Sequence, residues 1–124
     1  DLVRSRGLGD VYKRQTLLGG MTDGVYMESV DGSATASNVT EKDSTETQTD
    51  SVGTLTDAGF HTLEFFFDGS SVYFFFDGSQ NSTIHTTNIP DDEALTPSLE
   101  YLTGEAVANT LDIRRWSAFQ IGRT

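Results

Sequence analysis

The stretch that decides the fold runs Phe60-His61-Thr62-Leu63-Glu64-Phe65-Phe66-Phe67-Asp68, then Gly69-Ser70-Ser71, then Val72-Tyr73-Phe74-Phe75-Phe76-Asp77-Gly78. Two aromatic and β-branched runs, each closed by an Asp-Gly pair, read as adjacent strands with turns between them. The hexamer Phe-Phe-Phe-Asp-Gly-Ser stands at 65–70 and again at 74–79. A motif that occurs only twice is a hairpin, not a solenoid. Side chains alternate along a strand. His61, Leu63, Phe65 and Phe67 therefore share one face, matched by Val72, Phe74 and Phe76, and this face is the expected core. Phe66, Tyr73 and Phe75 point the other way. Aromatics clustered on an outer face mark contact with another domain or subunit, so these three are the candidate interface residues.

Working outward, residues 24–30 predict a short strand ended by Asp31-Gly32. Residues 34–52 are rich in Thr, Ser, Asp and Glu, which suits two solvated strands at 34–40 and 46–52 with a turn at 42–44. Downstream, 80–87 predicts a third strand, broken by Asn88-Ile89-Pro90. Residues 95–102 and 110–121 predict two more, with Leu111, Ile113, Phe119 and Ile121 as core candidates and a bulge near Arg115 or Trp116. No stretch carries helical periodicity. The expectation is an all-β, antiparallel sandwich or barrel.

Composition narrows the function. The chain has 124 residues, a net charge of −11 and no Cys. That length allows one domain. The charge argues against nucleic acid, whose phosphates need clustered Lys and Arg, and against an anionic membrane surface. No apolar run approaches the roughly 20 residues of a spanning helix. Without Cys there are neither disulfides nor thiolate metal sites.

The basic residues are unevenly placed. Arg4, Arg6, Lys13 and Arg14 are half of all Lys plus Arg, whereas residues 16–124 carry 4 basic and 17 acidic side chains. The segment 5–15, SRGLGDVYKRQ, resembles a translated transposase-type sequencing-library adapter, with all eleven residues matching. This resemblance implies that 1–15 is not native and that the natural sequence upstream of Thr16 is missing.

From Gly59 onward the chain resembles the concanavalin A-like lectin/glucanase superfamily. The carrying residues are Gly59-Phe60-His61-Thr62-Leu63-Glu64-Phe65, the run 72–78, Thr86-Thr87-Asn88-Ile89-Pro90, and Leu111-Asp112-Ile113. The resemblance implies a jelly-roll β-sandwich, of which 16–124 would be the C-terminal, incomplete part. Tandem patterns that end in Leu-Asp-Ile-Asp and an aromatic segment are similar to structural proteins of tailed phages. Here Arg114 stands where the second Asp is usual, which leaves any role of that Asp without a carrier.

The expected site is non-catalytic. Glu41-Lys42-Asp43-Ser44-Thr45-Glu46 has the glucanase spacing Glu-x-Asp-x-x-Glu, but Lys, Ser and Thr fill positions that the family keeps apolar. Glu41, Asp43 and Glu46 read as a solvated turn. His61 and His85, the two histidines, read as core or rim residues satisfied by neighbours. Asp91, Asp92 and Glu93 read as an exposed acidic loop in preference to a structural calcium site, so no cofactor or metal is expected. By the resemblance, the sugar-facing positions of the concave sheet fall on Glu100 and Leu102, neither of which stacks on a pyranose, with Tyr101 turned into the core.

The expected function is a module of a phage virion or tail protein, located in a virion or outside a cell. Its partners are other domains or subunits of the parent protein, with host glycans as a further contact. A lectin-like carbohydrate-binding module and the inactive C-terminal half of a glucanase are the alternatives. An incomplete sandwich exposes apolar surface and open edges, so residues 16–124 alone are expected to aggregate or to bind ANS.

Overall fold

The computed structural model describes residues 21–30, 32–56, 59–101 and 110–120. Among them every regular element is a strand. Strands β1 (Gly24–Glu28), β2 (Thr35–Lys42) and β3 (Thr45–Thr54) form one antiparallel sheet in that order. Strands β4 (Leu63–Phe67), β5 (Val72–Phe76) and β6 (Ser79–Gln80) form a second.

The turns follow from their residues. Asp43 and Ser44, both at positive φ, join the paired Lys42 and Thr45. Asp77 and Gly78, also both positive, join Phe76 and Ser79. Two consecutive left-handed residues match the right-handed twist of the strands they join. The first copy of the repeated hexamer turns differently. Between the paired Phe67 and Val72 lie four residues, and of these Gly69 alone has positive φ. The Asp68 carboxylate caps that loop, accepting the Ser70 and Ser71 N–H groups at 2.9 and 2.8 Å.

The main hydrophobic cluster draws on both sheets. Met27 of β1 packs with Val72 and Phe74 of β5, flanked by Val25, Val52, Leu63, Phe67 and Ile89. A smaller cluster, Tyr26 and Val39 with Met21, lies on the opposite face of the first sheet. β2 is therefore buried on both faces: Ala36, Asn38, Val39, Thr40 and Glu41 are all within 1 % of complete burial. This corrects the expectation of two solvated polar strands. It holds for β3, an edge strand of Thr, Glu and Gln, but not for β2, which is central.

β3 is irregular. Ala36 pairs with Gly53 and Asn38 with Thr49, so Ser37 alone faces residues 50–52, and Ser51 has a positive φ. Such a bulge bends the strand and breaks its ladder. Immediately beyond it, Gly53 meets the Phe76 ring so closely that a Cβ there would lie 2.4 Å from it.

Other expectations are corrected. Phe65 was expected in the core but is 48 % exposed, because β4 is an edge strand and the Phe65 ring rests 6.0 Å from Phe74. The strand predicted at 80–87 stops at Gln80. There Asn81 bends the chain, accepting the Thr83 N–H, and only His85 returns to pair its backbone with Val72. Residues 95–101 and 110–120 form no strand, so a bulge near Arg115 or Trp116 has nothing to interrupt. Ile113 and Phe119 are 53 and 86 % exposed rather than core. Alternating apolar residues suit a strand but cannot supply its hydrogen bonds, and no described strand pairs with either segment. Ile121 lies outside the described residues.

Candidate functional site

His85 is the polar link between the two sheets. It is 1 % exposed, and its ring meets Phe74 edge-on at 4.9 Å. Nδ1 lies 3.1 Å from Thr40 Oγ1 and Nε2 lies 2.8 Å from Thr49 Oγ1. The Thr40 hydroxyl donates to the Thr87 carbonyl, so toward the ring it accepts. His85 therefore carries its proton on Nδ1, and Nε2 accepts from Thr49. Burial pushes its pKa below the ordinary 6.5 and holds it neutral.

His61 stands in an arrangement that resembles a catalytic relay. Thr56 Oγ1 is 3.0 Å from Nε2, and Nδ1 is 2.8 Å from Asp77 Oδ2. The Thr56 backbone N–H also donates to Nε2, at 3.1 Å. That lone pair is thus committed to the backbone and is not free to take a hydroxyl proton. The arrangement is a staple: Asp77 Oδ1 accepts the Thr62 N–H as well. The His61 bond, and secondarily the Thr62 N–H, hold the Asp77 carboxyl below its usual range.

The acidic residues divide. Asp43 stays in an exposed turn, as expected. Glu41 and Glu46 do not form a solvated turn with it. They pair across β2 and β3, and the Tyr26 hydroxyl sits between them, 3.2 Å from Glu41 Oε1 and 2.9 Å from Glu46 Oε2. Glu41 is 1 % exposed, drawn in by the central position of β2. In the acidic loop, Asp91 and Asp92 face Lys42 Nζ at 2.8 and 3.5 Å. The Asp91 bond raises the Lys42 pKa, and Lys42 in turn lowers that of Asp91.

The candidate interface residues are brought together in part. Phe66 and Tyr73 pair across β4 and β5 with rings 6.2 Å apart. Phe66 is 45 % exposed, and the Tyr73 hydroxyl donates to Asp68 Oδ2. With the two turn N–H groups, that bond lowers the Asp68 pKa to about 2. Phe75 shares their face by register but is half-buried and borders a cavity. Phe60 is exposed and lies beneath the Arg114 guanidinium, which stands 4.1 Å from the ring centroid. The two sugar-facing candidates are not brought together: Glu100 is half-buried, and Leu102 lies outside the described residues.

The cavity, of about 470 Å³, opens between the sheets. Met27, Asn38 and Val52 line it from the first sheet, and Phe74 to Phe76 and residues 79–82 line it from the second. Asn38 is completely buried, and neither its Nδ2 nor its Oδ1 has a hydrogen-bond partner. Sequence reasoning passed over this residue. Its one signal is an Asn inside a strand, where Asn is depleted. Among the described residues no group of His, Asp and Glu is arranged to hold a metal ion. Comparison with protein-family models, curated proteins and solved structures finds no match for the chain.

Proposed function

We propose that the chain is part of a concanavalin A-like jelly-roll β-sandwich and serves as a non-catalytic contact module of a phage virion or tail protein. Its partners would be other domains or subunits of the parent protein, with host glycans as a secondary contact. One observation carries the reading: the β4–β5 hairpin presents paired aromatics to solvent, Phe66 on one face and Phe65 at the edge of the other. A hairpin in need of solubility would place charged residues there, whereas large exposed aromatics favour a binding surface. The net charge of −11 favours a protein over a phosphate-bearing partner.

The test is to sequence the parent DNA upstream of Thr16 with a library that lacks the adapter. An open frame running into Gly- and Thr-rich strands beside capsid or tail genes, with no Glu-x-Asp-x-x-Glu, is the expected result. An apolar-flanked Glu-x-Asp-x-x-Glu strand a few tens of residues before Phe60 would replace this reading with a severed glucanase.

A further inference from the structure

β4 ends the second sheet, so one of its backbone edges has no strand beside it among the described residues. The bonds at the two ends of the hairpin show which groups lie along that edge. The Asp77 N–H donates to the Thr62 carbonyl at 2.8 Å, and the Asp68 N–H donates to the Ser71 carbonyl at 3.1 Å. Bonded positions alternate along an antiparallel pair, so residues 62, 64, 66 and 68 turn their backbone groups toward β5. The N–H and C=O groups of Leu63, Phe65 and Phe67 therefore point outward, and no described backbone group bonds them there.

Folds usually blunt such an edge with a bulge, Lys, Pro or an added charge. β3, an edge of the first sheet, carries a bulge together with Glu46 and Asp50. β4 has no bulge, Lys or Pro, and Glu64 is its single charge. Phe65 adds a second sign. It shares the inner face with Leu63 and Phe67, yet it is 48 % exposed, so the first sheet leaves it uncovered.

The edge is complementary to itself. When β4 meets β4 of a second copy antiparallel, about a two-fold axis at Phe65, the outward groups of 63, 65 and 67 face those of 67, 65 and 63. All five strand residues are then paired. On the inner face Phe65 meets Phe65 and Leu63 meets Phe67, and on the outer face Glu64 meets Phe66. The charges favour this register over its neighbours. The nearest slip that keeps the bonding pattern sets Glu64 against Glu64 in one direction, and Glu64 against Asp68 in the other. Like charges directly opposite destabilise a ladder. We infer that the open edge of β4 pairs antiparallel with the same strand of a second copy, centred on Phe65, to give a two-fold dimer with one continuous six-stranded sheet. Such an interface is isologous and closes on itself. The inference rests on the reading of this hairpin as a contact surface and names its partner.

Sedimentation equilibrium of the full chain, in about 0.15 M NaCl, is the test. An edge pairing lies at the small end of interfaces and works against a net charge of −11 on each copy, so a Kd of about 100 µM is expected. Phe65→Pro removes an outward N–H that the β4–β5 ladder does not use, and edge strands tolerate proline. It should weaken the dimer at least ~10-fold with little change in Tm, whereas Phe65→Tyr, which keeps the N–H and a ring, should stay within about threefold of wild type. Phe66→Lys sets an ammonium opposite Glu64 of the second copy. It should dimerise at least as tightly as Gln80→Lys, which makes the same charge change at an exposed position on β6. A dimer equally strong in Phe65→Pro would overturn the inference. So would a Phe66→Lys dimer clearly weaker than that of Gln80→Lys, which would mean association through the outer aromatic face instead of the edge. A wild type that stays monomeric to about 1 mM yet binds ANS through Phe65 and Phe66 would overturn the pairing alone, and a monomer without ANS binding would overturn the contact surface as well.

Discussion

Replacing His85 with Ala tests how the two sheets are held together. The substitution removes two side-chain hydrogen bonds, to Thr40 and Thr49, at about 0.5–1.5 kcal/mol each. It also removes the edge-on contact with Phe74, worth about 0.5–1.5 kcal/mol beyond area burial. Thr40 keeps the Thr87 carbonyl as acceptor, so only Thr49 loses its partner on this side. The sum is about 3 kcal/mol, a large part of the roughly 5–15 kcal/mol that holds a domain folded. For a chain of this length it corresponds to a Tm drop of about 12 °C. The pH dependence identifies the cause. Burial lowers the folded-state pKa of His85 below 6.5. Its contribution is therefore complete above about pH 6.5 and is lost as pH falls from there through the folded-state pKa, because the unfolded chain takes up the proton first. Urea denaturation followed by far-UV circular dichroism, at pH 7.5 and at pH 5, measures both effects. The gap between wild type and His85→Ala should narrow at the lower pH. Taking the difference removes His61, which both proteins retain. A gap below about 1 kcal/mol at pH 7.5, or one that does not change with pH, would refute the idea that His85 links the sheets as a buried neutral base.

Three further outcomes follow from the same geometry. Gly53→Ala places a methyl group 2.4 Å from the Phe76 ring, and overpacking of this kind should cost about 1–3 kcal/mol in urea denaturation. Asp68→Asn should reduce the acid sensitivity of the hairpin. The folded Asp68 pKa is about 2, so its stabilisation is present above the unfolded value near 3.8 and is lost as pH falls toward 2. The acid transition of the variant, followed by circular dichroism, should be shallower in that window. Phe65→Ser with Phe66→Ser should lower ANS fluorescence and self-association in light scattering without a large loss of Tm, since both rings are nearly half exposed. Unchanged ANS binding would remove the support for the contact surface.

The elements legible in the sequence were those with local signals. Asp43-Ser44, Asp77-Gly78 and the Phe-rich runs each carry their own turn or strand chemistry, and all appear where expected. What the sequence concealed depends on distant partners. β2 reads as solvated because Thr, Asn and Glu are polar, yet its neighbours on either side bury it. Its buried Thr40 hydroxyl is satisfied by His85 and Thr87, more than forty positions away. Residues 95–101 and 110–120 show the reverse: strand-like alternation with no described strand to pair with. The candidate site was legible only as an outward aromatic row. Phe66 and Tyr73 follow from alternation alone, but the burial of Asn38 depends on the central place of β2, which no local pattern announces.

The duplicated hexamer seals the β4–β5 hairpin at both ends. Asp68, from the first copy, caps the closed end with its Ser70 and Ser71 bonds. Asp77, from the second, clasps the open end through Thr62 and His61. Two-stranded ladders ordinarily fray from the end away from the turn, so their amides exchange with solvent in a graded series. With a carboxylate fastening each end, the hairpin has no loose end to peel from. Its amides from Leu63 to Phe76 should exchange as one cooperative unit, and removing either aspartate should restore the gradient on its own side alone.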